Sequence, residues 1–114
     1  MIPFERSDVV LVPFPFSNQA TTKKRPAVVV SSTPYNAVSP DIVIMAITSQ
    51  TDKATGPGEC MISDWRNAGL LKPSAIKSAI ATIEQQLVLK ILGKLSLEDA
   101  RLLEQTLKDL LAIK

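Results

Sequence analysis

Lys23-Lys24-Arg25-Pro26-Ala27-Val28-Val29-Val30-Ser31 passes within one short stretch from the chain's only run of three cations to a β-branched run. Pro26 biases Arg25 toward extended backbone. It also cannot donate to a ladder, so it suits the first position of a strand. Residues 27–31 show no alternation of apolar and polar side chains, the pattern of a strand buried on both faces. Residues 42–47 (Ile-Val-Ile-Met-Ala-Ile) repeat that pattern. Residues 9–14 (Val-Val-Leu-Val-Pro-Phe) give a third apolar run, and Pro13 and Pro15 put it at a sheet edge or end it there.

Around these runs the chain is punctuated by turns. Residues 17–24 read as a polar loop, and residues 33–41, with Pro34, Asn36, Pro40 and Asp41, as a turn-rich stretch. Gly56-Pro57-Gly58 marks another loop before a strand at 59–63. Residues 63–69 predict a helical turn or two, capped by Ser63 or Asp64 and stopped by Gly69 in the left-handed conformation. Residues 73–83 and 87–95 are further strand candidates. The C-terminal segment differs in kind. Ser96-Leu97-Glu98-Asp99 is a near capping box, with Asp in place of Glu. Ala100, Leu103, Leu107, Leu110 and Leu111 then recur at spacings of three and four, an amphipathic helix of about four turns. Strands first and one long helix last predict a small coiled antiparallel sheet or barrel with a helix packed on it. With 114 residues and no linker or repeat, residues 1–114 read as one domain.

Composition narrows the chemistry. The chain has no histidine and one cysteine, Cys60. A His-based acid–base pair, a Ser-His-Asp triad and a His-ligated metal are therefore excluded, and no internal disulfide can form. No metal or other cofactor is expected, and Cys60 reads as a small hydrophobe in a strand. The net charge is only +2, but residues 61–95 carry five basic side chains (Arg66, Lys72, Lys77, Lys90, Lys94) against Asp64 and Glu84. A local basic face fits this better than a uniformly basic surface. No apolar run reaches the roughly 18 residues that cross a bilayer, and the first residues do not read as a signal peptide. A microbial cytoplasm is the expectation, with no membrane association.

Two places could carry chemistry. Arg25, held extended before a strand proline, is suited to gripping a phosphate with its planar fork, and it is equally a residue of a solvated basic loop. Thr48-Ser49-Gln50 follows six apolar residues at a strand end, where hydroxyls donate to phosphate oxygens or cap their own turn. Trp65 could stack on a base or belong to the core. Lys72 and Lys77 could extend a cationic groove or simply be solvated.

The order of motifs is more specific than any one of them. Asp8-Val9-Val10-Leu11-Val12-Pro13-Phe14 is followed by Lys24-Arg25-Pro26-Ala27-Val28-Val29-Val30-Ser31 and Ile47-Thr48-Ser49-Gln50. Then come Gly56-Pro57-Gly58-Glu59, Asp64-Trp65 with Ala68-Gly69-Leu70, Lys72-Pro73-Ser74, Ala81-Thr82-Ile83-Glu84 and Leu92-Gly93-Lys94-Leu95-Ser96. This order resembles the MazF/PemK family of toxin–antitoxin endoribonucleases over about residues 7–112. The resemblance implies an SH3-like barrel with a C-terminal helix, working as a homodimer, and a cognate antitoxin as partner. It implies metal-independent cleavage of single-stranded RNA that leaves 2′,3′-cyclic phosphate (or 3′-phosphate) and 5′-hydroxyl ends. By the same resemblance Arg25 and Thr48 are the catalytic residues, and Lys24, Ser49, Gln50 and Lys77 bind the substrate.

The chain departs from the family pattern in three places. Ser7 stands where Gly is common before Asp8. Lys77-Ser78-Ala79 replaces a segment that in many members carries an Arg and is one residue longer. No histidine is present in the early loop. A non-catalytic RNA- or antitoxin-binding member, and a gyrase poison on the same fold, are the alternatives. The latter group uses a C-terminal Trp that this chain lacks.

Overall fold

The computed structural model describes residues 3–13, 23–53 and 56–114. In it β1 (Asp8–Pro13), β2 (Lys24–Val29), β3 (Asp41–Thr48), β4 (Cys60–Ile62), β5 (Ser74–Glu84) and β6 (Lys90–Lys94) join in one curled sheet. The spatial order is β4-β5-β3-β2-β1-β6 and every pairing is antiparallel. A short helix α1 (Thr33–Val38) links β2 to β3, and α2 (Leu97–Leu111) packs on the sheet. This is the mostly-β half-barrel with a C-terminal helix that the sequence predicts.

The unalternating apolar runs form strands buried on both faces. Val9, Val28, Met45, Ile47 and Ile76 pack on one side, with Leu103 of α2. Val10, Val12, Ala27, Val29, Ile42 and Ile44 pack on the other, covered by Phe4 and Val88. In α2, Leu103 is buried and Ala100 and Leu107 partly so, whereas Leu110 and Leu111 reach solvent. The helix therefore seats mainly through its first three turns.

Several elements differ in detail from the sequence expectation. β1 is interior to the sheet, between β2 and β6, and Pro13 ends it. β2 starts at Lys24, so Pro26 is its third residue. The missing N–H is harmless there, because β2 pairs with β3 only from Ala27 onward. Phe14, Pro15 and most of the 17–24 loop lie outside the described residues. The turn-rich stretch contains α1, capped by Ser32, whose hydroxyl accepts from Tyr35 N–H, with Pro34 in its first turn. Asn36 is the buried residue of α1 and donates to the Phe4 and Ser31 carbonyls. At α2 the Ser96 hydroxyl caps Asp99 N–H at 3.1 Å as expected. The Asp99 carboxylate does not return the bond to Ser96. It accepts from Ser63 N–H (3.0 Å) and Asp64 N–H (2.9 Å), tying the helix start to the turn after β4.

That turn, residues 63–69, ends at Gly69 with φ +84°, the left-handed stop the sequence predicts. It lies directly on β6. A Cβ at Gly69 would stand 2.1 Å from the Leu92 carbonyl oxygen, and one at Gly93 would stand 2.6 Å from the Ala68 carbonyl. Two glycines thus let two backbones touch. Leu92 is the extra residue of a bulge in β6, opposite the Val9–Val10 step of β1.

Ser7 adopts φ +83°. Its backbone has no freedom to relax, because its N–H donates to Val29 and its carbonyl accepts from Leu95. Nearby, Lys94 bonds Glu5 (2.7 Å) and Asp8 (3.2 Å), fastening the entry turn to β6. Burial acts to lower the Lys94 ammonium, but its hydrogen bonds to Glu5 and Asp8 outweigh this and the net shift is upward. The contribution of the Lys94 ammonium is therefore present at neutral pH and is lost as strongly alkaline pH passes the raised value. A non-Gly residue in the left-handed region carries of order 1 kcal/mol of strain. Ser7→Gly is expected to raise the melting temperature by about 2–4 °C, the strain relief being partly offset by the entropy of a freer unfolded chain. A lower melting temperature would instead show that the Ser7 hydroxyl outweighs the strain.

Candidate functional site

The site arises where the sheet splits. β2 and β3 pair over Ala27↔Ala46, Val28↔Met45 and Val29↔Ile44 and then diverge. The first half of β2 stays with β1 (Leu11↔Pro26, Val12↔Arg25), and the end of β3 stays with β5 (Ile47↔Ile76, Thr48↔Ala75). Pro26 sits at the fork, where it has no N–H to offer a neighbour. β5 bulges at the same level: Met45 faces Ile80 and Ile47 faces Ile76, so Lys77, Ser78 and Ala79 together oppose Ala46 alone. Bulges re-aim side chains at such places.

An open groove of about 830 Å³ fills this split. Arg25, Thr48, Ser49, Gln50 and Lys77 all line it, from three different strands and the segment after β3. Lys24 does not. Lys72 and Lys90 line it as well. Lys90, on β6 opposite Leu11, is the residue the sequence reading passed over. Its only signal was the basic excess of residues 61–95, since an isolated surface lysine looks the same in any strand. The groove crosses β6, β1, β2, β3 and β5, so with strands about 4.8 Å apart Lys90 and Lys77 stand roughly two strands to either side of Arg25.

The groove is electrostatically one-sided. Four cations line it and no carboxylate does. The residues outside the description, 1–2, 14–22 and 54–55, contain no Asp or Glu either. The ion pairs among the described residues, Lys94 with Glu5 and Asp8 and Lys108 with Glu104, leave these four cations out. Such a lining attracts polyanions. Thr48 Oγ1 accepts from Gln50 N–H at 3.1 Å, so the turn-capping role is real. A hydroxyl that accepts still has its proton to donate, and the half-buried Thr48 can therefore cap the turn and face an anion together.

Other candidates lie away from the groove. Trp65 packs against the core with the Arg66 guanidinium 4.9 Å above its ring. Cys60 is buried in β4, where desolvation foremost pushes its thiol up and keeps it protonated and inert at neutral pH. Among the described residues no three His, Cys, Asp or Glu side chains converge as metal ligands. No helix among the described residues is long and apolar enough to cross a membrane.

Solved structures share this architecture. An endoribonuclease in complex with its cognate antitoxin from a Mycobacterial species superimposes with TM-score 0.75 at 16% identity, over 100% of this chain and 98% of that one. The Mycobacterium tuberculosis toxin MazF-mt6 gives 0.76 at 16% identity, over 94% and 98%. MazE–MazF from Deinococcus radiodurans gives 0.76 at 18% identity, over 100% of each chain. No curated protein matches the sequence. Likeness at such identities speaks for the fold, but the sequence itself matches the PemK-like, MazF-like toxins of type II toxin–antitoxin systems over residues 5–111. A match across nearly the whole chain, on a fold shared with MazF structures, places this protein in the PemK/MazF toxin family.

Proposed function

We propose that this chain is the toxin of a toxin–antitoxin pair and a metal-independent endoribonuclease on single-stranded RNA, with Arg25 and Thr48 as its catalytic residues. The observation that supports this most is the split in the sheet, where Arg25 and Thr48 line one groove with four cations and no carboxylate. RNA supplies its own nucleophile, the 2′-hydroxyl. The protein must hold that hydroxyl in line with the phosphorus and stabilise charge on the phosphate oxygens. The Arg25 guanidinium is suited to gripping two of those oxygens, and Thr48 to donating to one. Attack of O2′ on phosphorus expels the 5′ oxygen, which takes up a proton from water. The products are a 2′,3′-cyclic phosphate and a 5′-hydroxyl. Ser49, Gln50 and Lys77 hold the flanking nucleotides, and Lys24, outside the lining, serves the approach of the strand.

A guanidinium offers only N–H donors, so Arg25 acts here by charge and hydrogen bonding and not as a base. With no imidazole in the chain and no carboxylate in the groove, the 2′ proton leaves to solvent hydroxide. Cleavage of a single-stranded RNA by the purified protein is therefore expected to persist in excess EDTA. Its rate should climb about tenfold per pH unit from pH 6 to 8.5 without levelling off, because hydroxide takes the 2′ proton. Loss of cleavage on chelation, or a bell-shaped profile, would overturn this mechanism. The absence of any RNA cleavage would favour the binding-only reading, which the short Lys77-Ser78-Ala79 segment motivates.

The partner chains follow from similar reasoning. The Mycobacterial and Deinococcus structures, solved with antitoxins, support a cognate antitoxin here. Exposed Leu87, Leu89 and Ile91, along the open edge at β6, support a homodimer.

A further inference from the structure

Leu71 is 93% exposed, the most exposed large apolar side chain among the described residues, and it lines the groove beside Lys72. The turn that carries it is fixed on all sides. Leu70 is buried in the core and its N–H donates to the Trp65 carbonyl at 3.0 Å. The Ser74 hydroxyl donates to the Lys72 carbonyl at 2.9 Å, and Gly69 is pressed on the Leu92 backbone. Leu70 holds the place in the core, so Leu71 cannot turn inward. Single exposed leucines are ordinary on protein surfaces. This one differs by standing in a groove of four cations, on a rigid turn, where the described lining offers no aromatic side chain.

We propose that Leu71 is the apolar platform for one unpaired base of the bound RNA, and that it sets base preference at one position beside the cut, with Lys72 on that nucleotide's phosphate. The proposal rests on the endoribonuclease reading above. The four cations call for a polyanionic occupant, and a nucleic-acid strand is one. A single strand offers in alternation the two things this turn presents side by side, an apolar base face and a phosphate. Phosphate contacts hold any sequence alike, whereas an apolar platform favours bases by how strongly they pack on it, which gives a modest preference.

The test is cleavage of an RNA pool randomised around the cut, with ends mapped by sequencing, for the wild-type chain, Leu71→Ala and Lys72→Ala. Leu71→Ala is expected to reduce the preference at one position by about two- to fivefold and leave the others unchanged. Lys72→Ala is expected to weaken all sequences alike and lower the salt dependence of binding by about one phosphate contact. An unaltered preference in Leu71→Ala overturns the proposal. So does an unaltered preference accompanied by a changed assembly mass, which would assign Leu71 to a contact between copies. If the wild-type chain cuts no RNA, the endoribonuclease reading fails separately. Binding of fluorescent homopolymeric single strands then reads Leu71: Leu71→Ala must weaken the tightest about tenfold, and equal affinities overturn the proposal.

Discussion

Arg25→Ala is expected to lower kcat/KM for RNA cleavage by about 10²–10³, the usual loss when a preorganised donor to a developing oxyanion is removed. The fold should be untouched. Arg25 is exposed, lies on the half of β2 that pairs only with β1, and has no ion-pair partner among the described residues. Its removal should therefore move stability by less than about 0.5 kcal/mol. Arg25→Lys separates charge from geometry: it keeps the charge and loses the fork, so most of the deficit should remain. Thr48→Ala should cost less, because the main charge contact survives, and Thr48→Ser should recover part of the loss. Single-turnover cleavage of a labelled RNA beside thermal melts of each variant gives the answer. An Arg25→Ala protein that melts normally and cuts normally would remove Arg25 from the mechanism.

Gly69→Ala should have the largest effect on stability of any single methyl added to the chain. The residue holds φ +84°, and its Cβ would stand 2.1 Å from the Leu92 carbonyl oxygen. Backbone cannot swing aside as a side-chain tip can, so β6 or the 63–69 turn must move. That movement would disturb the Asp99 bonds to Ser63 and Asp64 and the burial of Leu70. A loss of about 3–5 kcal/mol is expected, much of the stability of a domain of this size, measurable by urea denaturation. Because Gly69 also lines the groove, cleavage should fall in parallel with the folded fraction. A variant as stable as the wild type would mean that the two backbones do not touch in solution.

How much of this could be read from the residues depends on range. The β-branched runs at 27–31 and 42–47 announce buried strands because each residue reports its own environment. The spacing from Ala100 to Leu111 announces α2, and Gly69 announces its own left-handed turn. The six-residue α1 was hidden, since its Ser32 cap and Pro34 are also the vocabulary of turns. The second role of Asp99 was hidden too, because its partners Ser63 and Asp64 lie more than thirty residues away. For the candidate site, a strand proline and a polar strand end left Arg25 and Thr48 open between phosphate contact and an ordinary loop or turn, and only the order of motifs across the chain singled them out. What brings them together is the divergence of β2 from β3, a property of pairing that neither strand encodes alone. Lys90 became visible only when the strand order set β6 beyond β1.

The bulge at Lys77, Ser78 and Ala79 bears on how such a protein diversifies. On one side it is pinned by Ile76 opposite Ile47, and on the other by Ile80 opposite Met45; of these Ile76, Ile47 and Met45 are buried. Three residues occupy the space of one, so this segment can gain, lose or exchange residues without shifting the register of any strand. Lys77 and Ala79 face the groove, and Ser78 stands against the Gly58 loop. A lineage can therefore remodel one wall of its binding surface here while the barrel stays as it is. The segment is a replaceable cassette, which makes it, on the endoribonuclease reading, the natural point for engineering a new cut-site preference into this fold.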